Sequence, residues 1–215
     1  MSSFKNVNST GMTLLTGWQS MWQSLGASHT NDELFYRLVA CYSEPHRKYH
    51  TMQHLRECLA HLERVRSFAE RPSEVELALW FHDGIYDTYK SNNEERSAEW
   101  ARDSAWAVGL SDEQAMRIYN HVVTTRHHVV PATQDAMIVV DIDLSVLGAD
   151  TARFEEYEVQ VREEYSWVPD IVYRRGRRKI LQDFANRERI YCTEYFRIEY
   201  EARARENIAR SLTRL

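Results

Sequence analysis

The chain has 215 residues, with 32 acidic against 27 basic side chains and a formal charge of −5. That length accommodates one domain with a sizeable core, and the mixed, mildly acidic charge is a poor footprint for a nucleic-acid polymer or a membrane surface as main partner. Cys41, Cys58 and Cys192 are widely spaced and form no CxxC pair, which predicts reduced thiols in a cytoplasmic protein rather than a disulfide framework or a thiolate zinc site.

Residues 1–10 are polar and expected to be frayed, and a single domain is expected over 11–215. The start carries no basic stretch followed by an apolar one, and no apolar run approaches membrane length. With four prolines, seven glycines and no Asn-Gly or Asp-Gly turn between alternating runs, the expected class is all-α. Leu14, Leu15, Trp18, Met21, Trp22 and Leu25 share one helical face over 12–25. Thr30 to Glu33 supply a cap and an acidic first turn for a helix to about Cys41. After a polar break at 43–48, Leu55, Leu59, Leu62 and Val65 form the stripe of a helix from Tyr49-His50 to about Phe68. Pro72 opens the next, through Leu77 to Phe81, with His82-Asp83 on its last turn and Gly84 as its stop.

A helix over about 92–109 follows. Ser111 to Gln114 fits a capping box for another, reaching Arg126-His127-His128. The run 136–147 is apolar except for Asp141 and Asp143. Phe154, Tyr157, Val161 and Tyr165 mark an amphipathic helix, and two charged helices cover about 170–185 and 190–212.

Nine histidines are unevenly placed: His46, His50 and His54 in one segment, His82 beside Asp83, and His121, His127 and His128 in another. His50 and His54 are four apart, so on a helix they share a face. Asp141 and Asp143, inside a buried run, demand a cation or several hydrogen bonds if ionised. One divalent ion drawing together imidazoles and carboxylates from these separated helices would satisfy them at once, as a mixed nitrogen and oxygen site compatible with Mn, Fe, Co, Ni, Zn or Mg.

That order, a His, an adjacent His-Asp pair and a distant Asp, resembles the HD superfamily of metal-dependent phosphohydrolases. The stretches 47–50 with His54, 80–87, 93–98, 140–148, 176–177, 189–191 and 201–203 resemble more narrowly a subgroup of predicted metal-dependent HD phosphohydrolases. The resemblance implies a single-domain helical bundle of the HD type. It also implies one metal ion on His50, His82, Asp83 and Asp141, and hydrolysis of a nucleotide or other small phosphate ester by a metal-activated water. Members with two metals carry a His near the position of Asn93, so its absence implies one tightly bound ion. Asp83 is then the candidate to orient or deprotonate the water, with Asp87, His54 and His128 as further catalytic candidates. Arg47, Arg126, His127 and Glu94 are candidates to contact the substrate. For Asp143, a salt bridge or cap is the expected role. Two alternatives stay open: a metal- or nucleotide-binding module without turnover, and a two-iron oxygenase on the same scaffold. A homodimer is left open too.

Overall fold

The computed structural model describes residues 3–126 and 131–215, with side chains from residue 14 onward. These residues form ten α-helices and two short 3-10 turns, without a strand among them: α1 Ser3–Leu25, α2 Asp32–Cys41, α3 Met52–Val65, α4 Pro72–Phe81, α5 Asn93–Ala107, α6 Asp112–Thr124, α7 Gln134–Asp143, α8 Thr151–Glu164, α9 Asp170–Ala185 and α10 Glu194–Arg214. The all-helical expectation therefore holds, and the expected elements appear in the expected order. α1 starts at Ser3, ahead of the expected start at Met12. No helix of the described residues is long and apolar enough to cross a membrane.

The element at the centre is α4, which packs against α1, α3, α5, α6 and α7. Every residue from Val75 to Phe81 is buried, so α4 shows no polar face, as a helix surrounded on all sides must. Its two buried acids are paired: Arg117 donates to both oxygens of Glu74 at 2.8 and 2.6 Å, and Arg66 to Glu76 at 2.6 Å. Trp18, Trp22 and Trp80 fill the junction of α1 and α4, edge to face at centroid distances of 5.2 and 5.4 Å.

Sequence punctuation works as the local rules require at most helix ends. Ser111 and Gln114 form the expected capping box. Asn31 caps α2 from a left-handed conformation with φ 47°, which asparagine tolerates because its side chain bonds locally, here accepting from the Leu34 amide. Gly84 departs from its expected role. It is not in the left-handed region where a helix-stopping glycine sits. A Cβ there would stand 3.1 Å from the Phe81 carbonyl oxygen, 3.3 Å from Leu38 and 3.4 Å from Trp100, so close packing of α2 and α5 selects the glycine.

The turn Leu144–Gly148 links α7 to α8 and lies under α10. A Cβ at Gly148 would stand 2.6 Å from the Tyr200 carbonyl oxygen, an approach only glycine permits. Gly148→Ala is therefore expected to destabilise the protein by about 1–3 kcal/mol through overpacking. Denaturant unfolding checks this, and an unchanged midpoint would show that α10 yields freely.

Candidate metal centre

The site is built where α4 stops. The Tyr42 hydroxyl donates to the Trp80 carbonyl at 3.2 Å and accepts from the Asp83 amide at 3.3 Å, fixing the turn that carries His82 and Asp83. His82 is buried, and its Nδ1 lies 2.7 Å from the Leu79 carbonyl oxygen. A carbonyl only accepts, so Nδ1 carries the proton and Nε2 is left as the free lone pair, the usual arrangement of a metal-binding imidazole.

Four ligand atoms converge there: one each from His54, His82, Asp83 and Asp143, all within 4.8 Å of one another. His54 Nε2 is 3.0 Å from His82 Nε2, 3.5 Å from Asp83 Oδ2 and 3.3 Å from Asp143 Oδ1. His82 Nε2 is 3.0 Å from Asp83 Oδ2 and 3.6 Å from Asp143 Oδ1. Nitrogen and oxygen ligands about 2.1 Å from one ion stand about 3.0 Å apart at right angles and about 3.4 Å apart in a tetrahedron. The observed separations are compatible with one coordination shell. Moreover, Asp83 Oδ2 is buried and faces the imidazoles of His82 and His54; with both rings presenting lone pairs it has no donor, a costly state that a cation would relieve. These four residues fit a divalent ion, and their mixed donors do not select which.

The electrostatics point the same way. Burial alone would raise the carboxyls of Asp83 and Asp143, but the imidazoles beside them outweigh it and hold both below the ordinary carboxylate range. Burial would lower His82, yet Asp83 and Asp143 push it up to about 9. Without an ion the cluster retains a proton that an ion would replace.

Two expected ligands are corrected by this geometry. Asp141 lies on the opposite side of α7, where its carboxylate accepts from the amides of Cys192 at 2.8 Å and Thr193 at 2.7 Å and from the Thr193 hydroxyl at 2.7 Å. It secures the entry to α10, and Asp143, expected to be a salt bridge or cap, takes its place in the cluster. His50 is likewise not among the converging atoms, and His54 is. α3 begins only at Met52, with Thr51 as its cap, so the two imidazoles do not share a helical face as their spacing suggests. Their ring centroids are 6.1 Å apart.

His50 instead joins a network that the sequence did not reveal. Its Nδ1 donates to Glu164 Oε2 at 2.7 Å, and the Tyr86 hydroxyl donates to the same oxygen at 3.0 Å. Oε1 of Glu164 accepts from the amides of Lys48, Tyr49 and His50 at 2.8, 2.8 and 2.9 Å. Burial opposes the charge on Glu164, but His50 and these amides bring its carboxyl down to about 2. Burial would lower His50 too, and Asp83 and Glu164 together raise it. Glu164 continues the inward stripe of Phe154, Tyr157 and Val161 on α8, and that period was the available signal.

The other candidates divide. Arg47 is buried and fully engaged, donating to the carbonyls of Asp83 at 2.6 Å, Gly84 at 3.2 Å and His50 at 3.3 Å and to Glu44 at 3.0 Å. It clamps the site's two loops together and is not a free phosphate fork. Asp87 caps its own turn by accepting from the Tyr89 amide at 2.9 Å, away from the cluster. Glu94 and Arg126 do reach the cavity wall, Arg126 while paired to Glu95 at 2.8 Å. His127 and His128 lie outside the described residues.

A cavity of about 560 Å³ opens onto the cluster, lined by His50, Asp83 and Asp143 and by residues of α8 and α9. No protein-family model, curated protein or solved structure matches this chain.

Proposed function

We propose that the protein is a metal-dependent hydrolase of a small phosphate ester, with His54, His82, Asp83 and Asp143 holding one divalent ion. The observation that carries this reading is the convergence of four ligand atoms, one of them a buried carboxylate oxygen that faces only imidazoles, on a cavity large enough for a small molecule. A divalent ion bound there supplies Lewis acidity and a water of lowered pKa. Asp83 is the acceptor that orients the attacking water. His50 lines the cavity with its Nδ1 occupied by Glu164, which leaves Nε2 to deliver a proton to the leaving oxygen. The step breaks the phosphorus–oxygen bond to the organic group and forms one to the water oxygen, with no change of oxidation state.

The test is metal analysis of protein purified without added metal, followed by a panel of phosphomonoesters and phosphodiesters. One divalent ion per chain and turnover of a panel member are expected. A full ion complement without hydrolysis would favour a binding module, and a paired-iron Mössbauer signature would favour an oxygenase.

Removing the ion should also loosen the fold. An ion held at 100 to 1,000 times its Kd contributes about 3–4 kcal/mol. Chelation is therefore expected to lower the melting temperature by roughly 6–16 °C at this chain length. A scan unmoved by chelator would leave the cluster as an ion-free proton-sharing network.

A further inference from the structure

Resting on that reading, we infer that the substrate carries a single phosphate group on a largely apolar organic part of aromatic size. The cavity lining is of two kinds. Beside the charged cluster it is formed by Val161 of α8, Val168 of the following loop, and Val172, Tyr173, Ile180 and Phe184 of α9.

Several polar groups along the wall are already engaged. The Tyr86 hydroxyl donates to Glu164 at 3.0 Å, the Thr125 hydroxyl to the Val122 carbonyl at 2.8 Å, and the Asn93 amide to the Asp87 carbonyl at 2.9 Å. Cations show the same economy. Arg126 is paired to Glu95 at 2.8 Å, and Arg177, buried over the Tyr157 ring, to Glu158 at 3.1 Å. Lys90 alone on this wall has no acidic partner among the described residues.

A second and third phosphate would bring several negative charges to a wall with one uncommitted cation. Against the lining from α8 and α9, a sugar would bring its hydroxyls to ring faces and methyl groups, where each loses its water without a partner. An apolar organic group loses nothing there and gains from burial. Apolar surface continues outside the cavity: Trp167 stacks on Tyr89 at 4.2 Å, and both lie exposed beside Val168 and Ile171.

The experiment compares 1-naphthyl phosphate, glucose 6-phosphate and ATP as substrates of the metal-loaded protein. Separately, it measures binding of 1-naphthol, which has no phosphate, by displacement of a fluorescent probe. Naphthyl phosphate should exceed both others in kcat/KM by about 100-fold. Val172→Asp, at a position 56% exposed and so tolerant of charge, should weaken naphthol binding by about tenfold with metal content unchanged. Equal or better turnover of glucose 6-phosphate or ATP, or turnover of naphthyl phosphate with no naphthol binding, overturns the inference and leaves hydrolysis standing. Naphthol binding that Val172→Asp weakens, with no ester hydrolysed, supports the apolar arm and removes the hydrolytic reading instead.

Discussion

Asp143→Ala is expected to abolish stoichiometric metal binding with little effect on the fold, and Asp141→Ala to weaken the fold while metal binding is kept. Asp143 contributes one of the four converging atoms, 3.3 Å from His54 Nε2 and 3.6 Å from His82 Nε2. Loss of an outer partner already costs about 10–100-fold in metal affinity, so loss of a direct ligand should exceed about 100-fold. In the ion-free protein the substitution removes repulsion from Asp83 but also the attraction to His54 and His82 that holds the Asp143 carboxyl low, and the two offset in part. Its melting temperature in chelator should accordingly stay within a few degrees of the parent.

Asp141, by contrast, satisfies three donors at the start of α10. Burial raises its carboxyl to about 6, so part of what those bonds contribute offsets its own desolvation. Each buried donor left unpaired costs about 1–3 kcal/mol; allowing for that offset, a net loss of about 3 kcal/mol is expected. The melting temperature should then fall by roughly 6–12 °C. Metal content by mass spectrometry and thermal unfolding, run on both variants, separate the two roles. Intact metal binding in Asp143→Ala would dismantle the centre as described.

Glu164→Gln should lower turnover by about 10–100-fold, within the range of general acid–base catalysis, without loss of metal. Glutamine keeps a carbonyl oxygen for the amides of Lys48, Tyr49 and His50, so the loop stays in place. What disappears is the negative charge that helps raise His50. If His50 gives its proton to the leaving oxygen, activity falls as pH rises past its pKa. With that pKa reduced, the alkaline limb of the pH–rate profile moves to lower pH. A profile superimposable on the parent's would reduce Glu164 to a structural tie.

The same carboxylate carries a stability signature of opposite direction. Its folded value, about 2, lies below the ordinary 4.5, so its contribution is present above pH 4.5 and lost as pH falls toward 2. Acid unfolding of Glu164→Gln should lack that component.

The place of His82 and Asp83 was legible because a local pattern defines it: an apolar run too continuous for a surface helix, ended by two polar residues. The choice between Asp141 and Asp143 was not. Two positions on a helix differ by about 200°, which normally decides which one faces inward. α7, however, is buried on both sides, with Ile138, Val139 and Ile142 all inaccessible, so periodicity marks both acids as interior. Only the start of α10, some fifty residues later in the chain, determines which acid meets backbone amides and which meets imidazoles. His50 and His54 failed for a different reason. Their spacing implies a shared face only inside a helix, and the helix begins after His50. Glu164 lies on the apolar stripe of Phe154, Tyr157 and Val161, and the sequence reading assigned it no role.

By itself, then, the sequence determined an all-helical chain, the order of its elements, most caps, and the buried turn that holds His82 and Asp83, all of which depend on contacts within about four residues or on amphipathic period. The tertiary structure alone decided the membership of the site. Asp143 rather than Asp141, His54 rather than His50, and the tie from Glu164 to His50 each depend on groups more than twenty residues apart, and local propensity places no constraint on which of them meet.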